Sequence, residues 1–177
     1  GAAFQAFLAG APFALIVVMD VPPEQLGYFI MAVPIGYIIG NYISSRMSQR
    51  ASRRRMIWIG GILAVVGTAV LVLLPLSGMD SPYTLIIPLA FYSCGSGFVV
   101  PNSLAGALTA VEPAAAGSAA ALGGFVQMGA GFVSTIIMAS LVPTSFLQVG
   151  MVMFWCCVLS LLVFVLLVVP RPRAATD

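Results

Sequence analysis

The stretch RMSQRASRRR (residues 46–55) runs straight into MIWIGGILAVVGTAVLVLLPL (residues 56–76): five arginines, then 21 positions without a charge. About 20 apolar residues in a helix cross the ~30 Å hydrocarbon core of a bilayer. A basic turn at one end of such a run marks the side that stays in the cytoplasm. Outward from this junction the chain holds five more uncharged runs, at about residues 1–19, 27–44, 83–109, 117–141 and 146–169. The remaining charges, Asp20, Glu24, Asp80, Glu112, Arg171, Arg173 and Asp177, all lie at or beyond the ends of these runs. A charge at mid-bilayer costs about 2.5–3.5 kcal/mol on insertion scales. The spacing is therefore the one a lipid-embedded chain requires.

Composition points the same way. Hydrophobic residues make up 61% of the chain and charged residues 7%, against about 25% charged in an ordinary soluble domain. A membrane barrel would need alternating apolar and polar positions in short strands, and none of the runs alternates. The reading is an all-α membrane protein of six transmembrane helices, one domain over residues 1–177, with no separate soluble domain. With the arginine turn inside, both termini are cytoplasmic, and Arg171 and Arg173 fall inside under the same count. The turn is short and sits between two spans, so it does not mark a nucleic-acid partner. Residues 1–19 lack a basic leader and an initiating Met, so they do not read as a signal peptide; the abrupt start reads as a truncated chain or half of a longer one.

Two sets of three helices are expected. The second helix of each set follows an acidic, proline-containing entry, Pro22-Pro23-Glu24-Gln25-Leu26-Gly27 and Glu112-Pro113-Ala114-Ala115-Ala116-Gly117. One entry is outside and the other inside, as a 3+3 inverted repeat demands. The first helices share a Phe-x5-Gly spacing, Phe4 to Gly10 and Phe91 to Gly97.

Polar and small residues divide the helices further. Helix five carries Gly117, Ala120, Gly124, Gln127, Gly131 and Ser134 at steps of three and four. Helix four carries Tyr92, Gly95, Ser96, Val99, Asn102, Ser103 and Gly106; helix two Pro34, Tyr37, Gly40, Asn41 and Ser44; helix one Gln5, Ala9 and Pro12. Small residues let backbones approach, and polar ones need partners away from lipid. Helices one, two, four and five are thus expected to face the interior or a partner. Helices three and six, almost uniformly apolar, are free to meet lipid all round. Pro12, Pro34, Pro88 and Pro101 each remove a backbone hydrogen bond and favour a kink.

The chemistry is sparse. With no His, His-dependent triads and His metal sites are excluded. Cys94, Cys156 and Cys157 sit within helices with no acid near them, so neither a metal centre nor a cofactor is expected. No phosphate-binding loop is present, and the chain does not read as an enzyme. The inner faces offer neutral groups that orient a ligand but carry no proton: Gln5, Tyr37, Asn41, Tyr92, Ser96, Asn102 and Gln127, with aromatic surface expected from Phe4, Phe7, Phe13, Phe29, Phe98 and Phe125.

Several segments together carry a resemblance: Gly10-Ala-Pro12-Phe13, the loop Pro22 to Phe29, the arginine turn, Pro101-Asn102-Ser103, and Glu112-Pro113 followed by Gly117 to Gln127. They resemble the C-terminal half of a major facilitator superfamily transporter, most closely the bacterial drug/proton antiporters of the Bcr/CflA type. The arginine turn resembles a degenerate copy of the superfamily's inner-loop motif, lacking the acid before Arg46. The resemblance implies a twelve-helix exporter of the bacterial inner membrane that works by alternating access. It implies proton antiport with the membrane carboxylates in the other half. In such a half, the first and fourth helices line the cavity, the second and fifth meet the other half, and the third and sixth face lipid. Expected substrate contacts are Phe4, Gln5, Phe13, Tyr92, Ser96, Asn102 and Gln127. Expected packing or gating positions are Pro12, Pro34, Gly40, Pro101, Gly117, Gly124 and Gly131. Expected partners are the bilayer, a small amphipathic drug-like substrate, and an N-terminal half or a second copy. On the residues alone, a self-associating six-helix channel or uniporter and a non-transporting scaffold stay open.

Overall fold

A computed structural model describes residues 1–78, 81–141 and 145–168. Asp80, Arg171, Arg173 and Asp177, which entered the charge count above, lie outside the described residues. Six α-helices follow in order: α1 Ala2–Phe13, α2 Leu26–Met47, α3 Arg53–Leu76, α4 Ile86–Thr109, α5 Ala116–Leu141 and α6 Phe146–Val168. No strand occurs among the described residues. With their entry turns, α2 to α6 are long and apolar enough to cross a membrane, whereas the first segment, Ala2–Val18, is shorter.

Local chemistry explains where the helices begin. Ser52 is extended and its Oγ accepts from the Arg55 amide at 3.4 Å, capping α3. At α2, α4 and α5 an extended residue (Pro22, Ser81, Glu112) precedes a proline that opens one tight turn before the α-helix. Proline suits that position because its missing N–H had no helical partner there. Pro88 was expected to kink helix four, but it lies in the first turn of α4, where no interior bond is lost. Pro12 acts differently: immediately after it, α1 widens into a π-helical turn, Ala14–Val18, in which Met19 N–H reaches Ala14 O. The chain then reverses at Asp20, held at φ 52°, a left-handed conformation that Asp tolerates better than most residues.

The helices pack as two interlocked sets. The main contacts of α4 are with α2 and α3, those of α1 are with α5 and α6, and α3 packs on α6. Exchanging α1 with α4, α2 with α5 and α3 with α6 maps this pattern of neighbours onto itself. That is the signature of a 3+3 repeat.

Backbone-to-backbone approach at glycines sets the tightest interfaces. A side chain at Gly97 would place its Cβ 2.5 Å from Tyr37 O and 2.7 Å from the Asn41 amide of α2. One at Gly95 would meet Gly60 O at 2.5 Å on α3. Small residues are what allow such proximity in a membrane.

Large buried side chains cluster at one end. Leu15, Phe29, Leu71, Leu85, Leu89, Met138, Phe146 and Val149 belong to one core, and all lie on helix ends remote from residues 46–55. The arginine-bearing end buries fewer large side chains, Met56 being one, and the main cleft lies there. This places the bundle's opening there.

Two departures from the sequence reading concern the greasiest helices. α3 does not meet lipid all round: Met56, Gly60, Ala64, Gly67, Thr68 and Leu71 are buried. α6 likewise buries Phe146, Val149, Gly150, Met153 and Phe164. A uniformly apolar helix has no hydropathy contrast to mark its packed side. On α3 the marker is small-residue spacing, Gly60, Ala64 and Gly67, whereas α6 offers only Gly150.

Candidate substrate cleft

A cleft of about 790 Å³ opens at the arginine-bearing end, bounded by α3, α4, α5, α6 and the first turn of α1. Tyr92, Ser96, Val99 and Ser103 enter it from α4, positions separated by four, three and four residues and hence on one helical face. From α5 come Val126, Gln127, Ala130, Val133 and Ser134. Cys156, Cys157 and Ser160 face it from α6, and Ile57, Gly61 and Ala64 from α3. Among the described residues no charged side chain lines it. Its polar groups are hydroxyls, thiols and one side-chain amide set in an otherwise apolar wall, the make-up of a site for neutral or amphipathic molecules.

The expected substrate contacts divide. Tyr92, Ser96 and Gln127 line the cleft together. Gln127 is largely exposed, with its Cγ 2.7 Å from where a Gly1 Cβ would lie. Ser96 Oγ donates to Tyr92 O at 3.1 Å, one turn back. Gln5 does not line the cleft: its side chain lies across Gly131, where an added Cβ would stand 2.7 Å from Gln5 Cγ. Phe4 and Phe13 are also outside it, 38% and 40% exposed. Nine residues apart on a helix, they project to opposite sides and cannot share one wall. Asn102 belongs elsewhere too. Its Nδ2 donates to Ser44 Oγ at 2.8 Å and to Phe98 O at 2.7 Å, bridging α4 to α2.

The expected packing positions also separate. Gly40 lies against the Cys94 backbone, and Gly131 against Gln5. Gly117 and Gly124 have nothing within 4 Å of an added Cβ, and the ten residues 121–130 of α5 are all exposed. Pro34 is exposed, while Pro12 and Pro101 are half-buried. Ser134 ties α5 to α1 by donating to Ala2 O at 2.8 Å.

The α6 contributions, Cys156, Cys157 and Ser160, were not anticipated. Their spacing (156, 157, 160) was a usable signal, obscured by the apolar surroundings.

Among protein-family models, the one described as Major Facilitator Superfamily matches residues 1–135. No curated protein and no solved structure matches the chain. Membrane-length helices, a pairwise-interchangeable arrangement and a neutral cleft already describe a multi-pass membrane transporter, and with more than half its length matched the chain belongs to the Major Facilitator Superfamily.

Proposed function

We propose that residues 1–177 act as one six-helix transmembrane unit, the C-terminal half of a proton-coupled exporter of the Bcr/CflA type. In this reading the unit sits in a bacterial inner membrane with both termini cytoplasmic and expels small amphipathic drug-like molecules by alternating access. The uncharged cleft is the observation that carries it. Tyr92, Ser96 and Gln127 orient the substrate by hydrogen bonds, and the apolar wall takes its rings and alkyl groups. Gln5 and Asn102, reassigned from substrate contact, hold helix pairs together; at most one of Phe4 and Phe13, which point to opposite sides of α1, is available to a substrate reaching past that helix.

Proton coupling requires a protonatable group within the membrane. The described acids, Asp20, Glu24 and Glu112, lie outside the α-helices, so the coupling carboxylate belongs to the partnering half. The exposed, glycine-containing face of α5 and the matching side of α2 are where that half, or a second copy of this chain, would dock.

The test is efflux of a fluorescent amphipathic cation or neutral dye from proteoliposomes holding the assembled transporter. Gln127→Ala should lower the rate by about tenfold, the loss of one oriented hydrogen bond to a substrate, while Gln148→Ala leaves it nearly unchanged. Equal effects of the two substitutions would remove the cleft assignment. Transport by a strictly monomeric 177-residue chain would remove the half-transporter assignment.

A further inference from the structure

A second, smaller pocket lies beside the arginine turn. It has a volume of about 440 Å³ between the end of α2, the start of α3 and the later part of α4. Asn41, Ser44, Ser45, Ser48, Arg53 and Asn102 line it, with only Ala51, Pro101 and Ala105 apolar. The main cleft is the reverse, mostly apolar and uncharged.

Arg53, exposed like Arg54 and Arg55 beside it, is hydrogen-bonded across to α4 where they are not. Its guanidinium donates to Thr109 Oγ1 at 2.8 Å. Its stem passes Gly106, where an added Cβ would come 3.4 Å from Arg53 Cδ. Arg46 is committed to Tyr42, donating to its hydroxyl at 3.1 Å and stacking 5.3 Å from the ring centre. Arg54 and Arg55 make no side-chain hydrogen bond among the described residues, and none of the five arginines there is paired with a carboxylate. A basic turn at a bilayer edge explains the charge. It does not explain why one of these guanidiniums is tied to α4 beside a cavity of hydroxyls and amides.

We infer that this pocket holds the phosphate of an anionic phospholipid from the adjoining leaflet, gripped by Arg53 and by the neutral donors Asn41 and Ser45. A planar guanidinium offers several N–H groups in a fork that matches phosphate oxygens, and the one hydrogen bond to Thr109 leaves others to donate. Bonds to an ionised phosphate are shorter and stronger than neutral ones. A lipid is favoured over a soluble anion because Ile38 and Tyr42, beside Asn41 and Ser45 on the surface of α2, expose apolar area for acyl chains. Anionic headgroups are also concentrated where basic segments meet the membrane.

Native mass spectrometry of the detergent-purified protein, offered phosphatidylglycerol and phosphatidylcholine together, tests this. The unsubstituted protein should retain phosphatidylglycerol in excess, and Arg53→Gln should cut that preference about fivefold while Arg54→Gln, with the same loss of charge, changes it less than about twofold. Equal losses would mean a diffuse positive field and overturn the site, as would the absence of any preference. Displacement of the lipid by inorganic phosphate would reassign the pocket to a soluble anion and overturn the lipid. A second measurement needs no substitution: amides of residues 45–53 should exchange with deuterium at least threefold more slowly in phosphatidylglycerol than in phosphatidylcholine nanodiscs, a roughly 0.6 kcal/mol difference in local opening. Identical exchange in the two lipids would also overturn the proposal.

Discussion

At Gly97, a single hydrogen in place of a side chain decides whether α2 and α4 can touch. Replacing it with Val would drive a Cβ to 2.5 Å from Tyr37 O, closer than packed atoms tolerate. Overpacking of this kind costs about 1–3 kcal/mol, so Gly97→Val should lower the midpoint of thermal unfolding in detergent, followed by circular dichroism. Gly124→Val meets nothing within 4 Å and should leave that midpoint unchanged; a matched loss would show that α5 packs differently. The contrast also explains what the residue pattern concealed. Gly97 and Gly124 look alike in a sequence, each a glycine within a small-residue stripe. Only the neighbouring helix distinguishes them, and neighbours are not encoded locally. The same holds on α4, where Tyr92, Ser96 and Ser103 enter the cleft while Asn102, one residue from Ser103, turns to Ser44. A helix covered on several sides carries several polar faces, and composition cannot assign each to its partner.

Among the elements, α1 departs from a regular helix by widening. Pro12 removes a donor from the ladder, and the chain answers with a π turn over Ala14–Val18, the kind of local irregularity often found at functional positions. Pro12→Ala restores the missing N–H and should regularise the segment. Amides of residues 14–18 should then exchange more slowly by about threefold or more, in line with a recovered hydrogen bond of about 1 kcal/mol. Unchanged exchange would separate the π turn from its proline. Helical character and membrane-length apolar segments were legible from charge placement alone, because excluding charges from lipid is a strong constraint that acts on every residue. The π turn was not. Proline in a membrane helix signals that something changes, but whether it kinks, widens or merely starts the helix depends on its position. Pro12, Pro101 and Pro88 differ in that respect.

For the whole molecule, the pattern of neighbours leaves two helices incompletely covered. α4 uses α2 and α3, α1 uses α5 and α6, and α3 and α6 cover one another; α2 and α5 thus flank the bundle with one side free. The outward sides of α5 and α6 are not alike in chemistry. α6 presents Leu162 and Leu166 outward, whereas outward on α5 stand Gly117 and Gly124 among apolar residues. Lipid tails suit the former, and a close-packed helix suits the latter. Nitroxide labels can read this difference through collision with oxygen, which concentrates in lipid, and with a water-soluble nickel chelate. In the assembled transporter, a label at Leu162 or Val70 should report oxygen contact at the level of a lipid-facing site. One at Gly124 should show both collision rates suppressed, and one at Ser96 should favour the nickel chelate, as the cleft admits water. Dissociating the assembly should raise oxygen contact at Gly124 alone. If Gly124 reports lipid in both states, α5 has no partner helix, and the division of this bundle into core, docking face and lipid face is wrong.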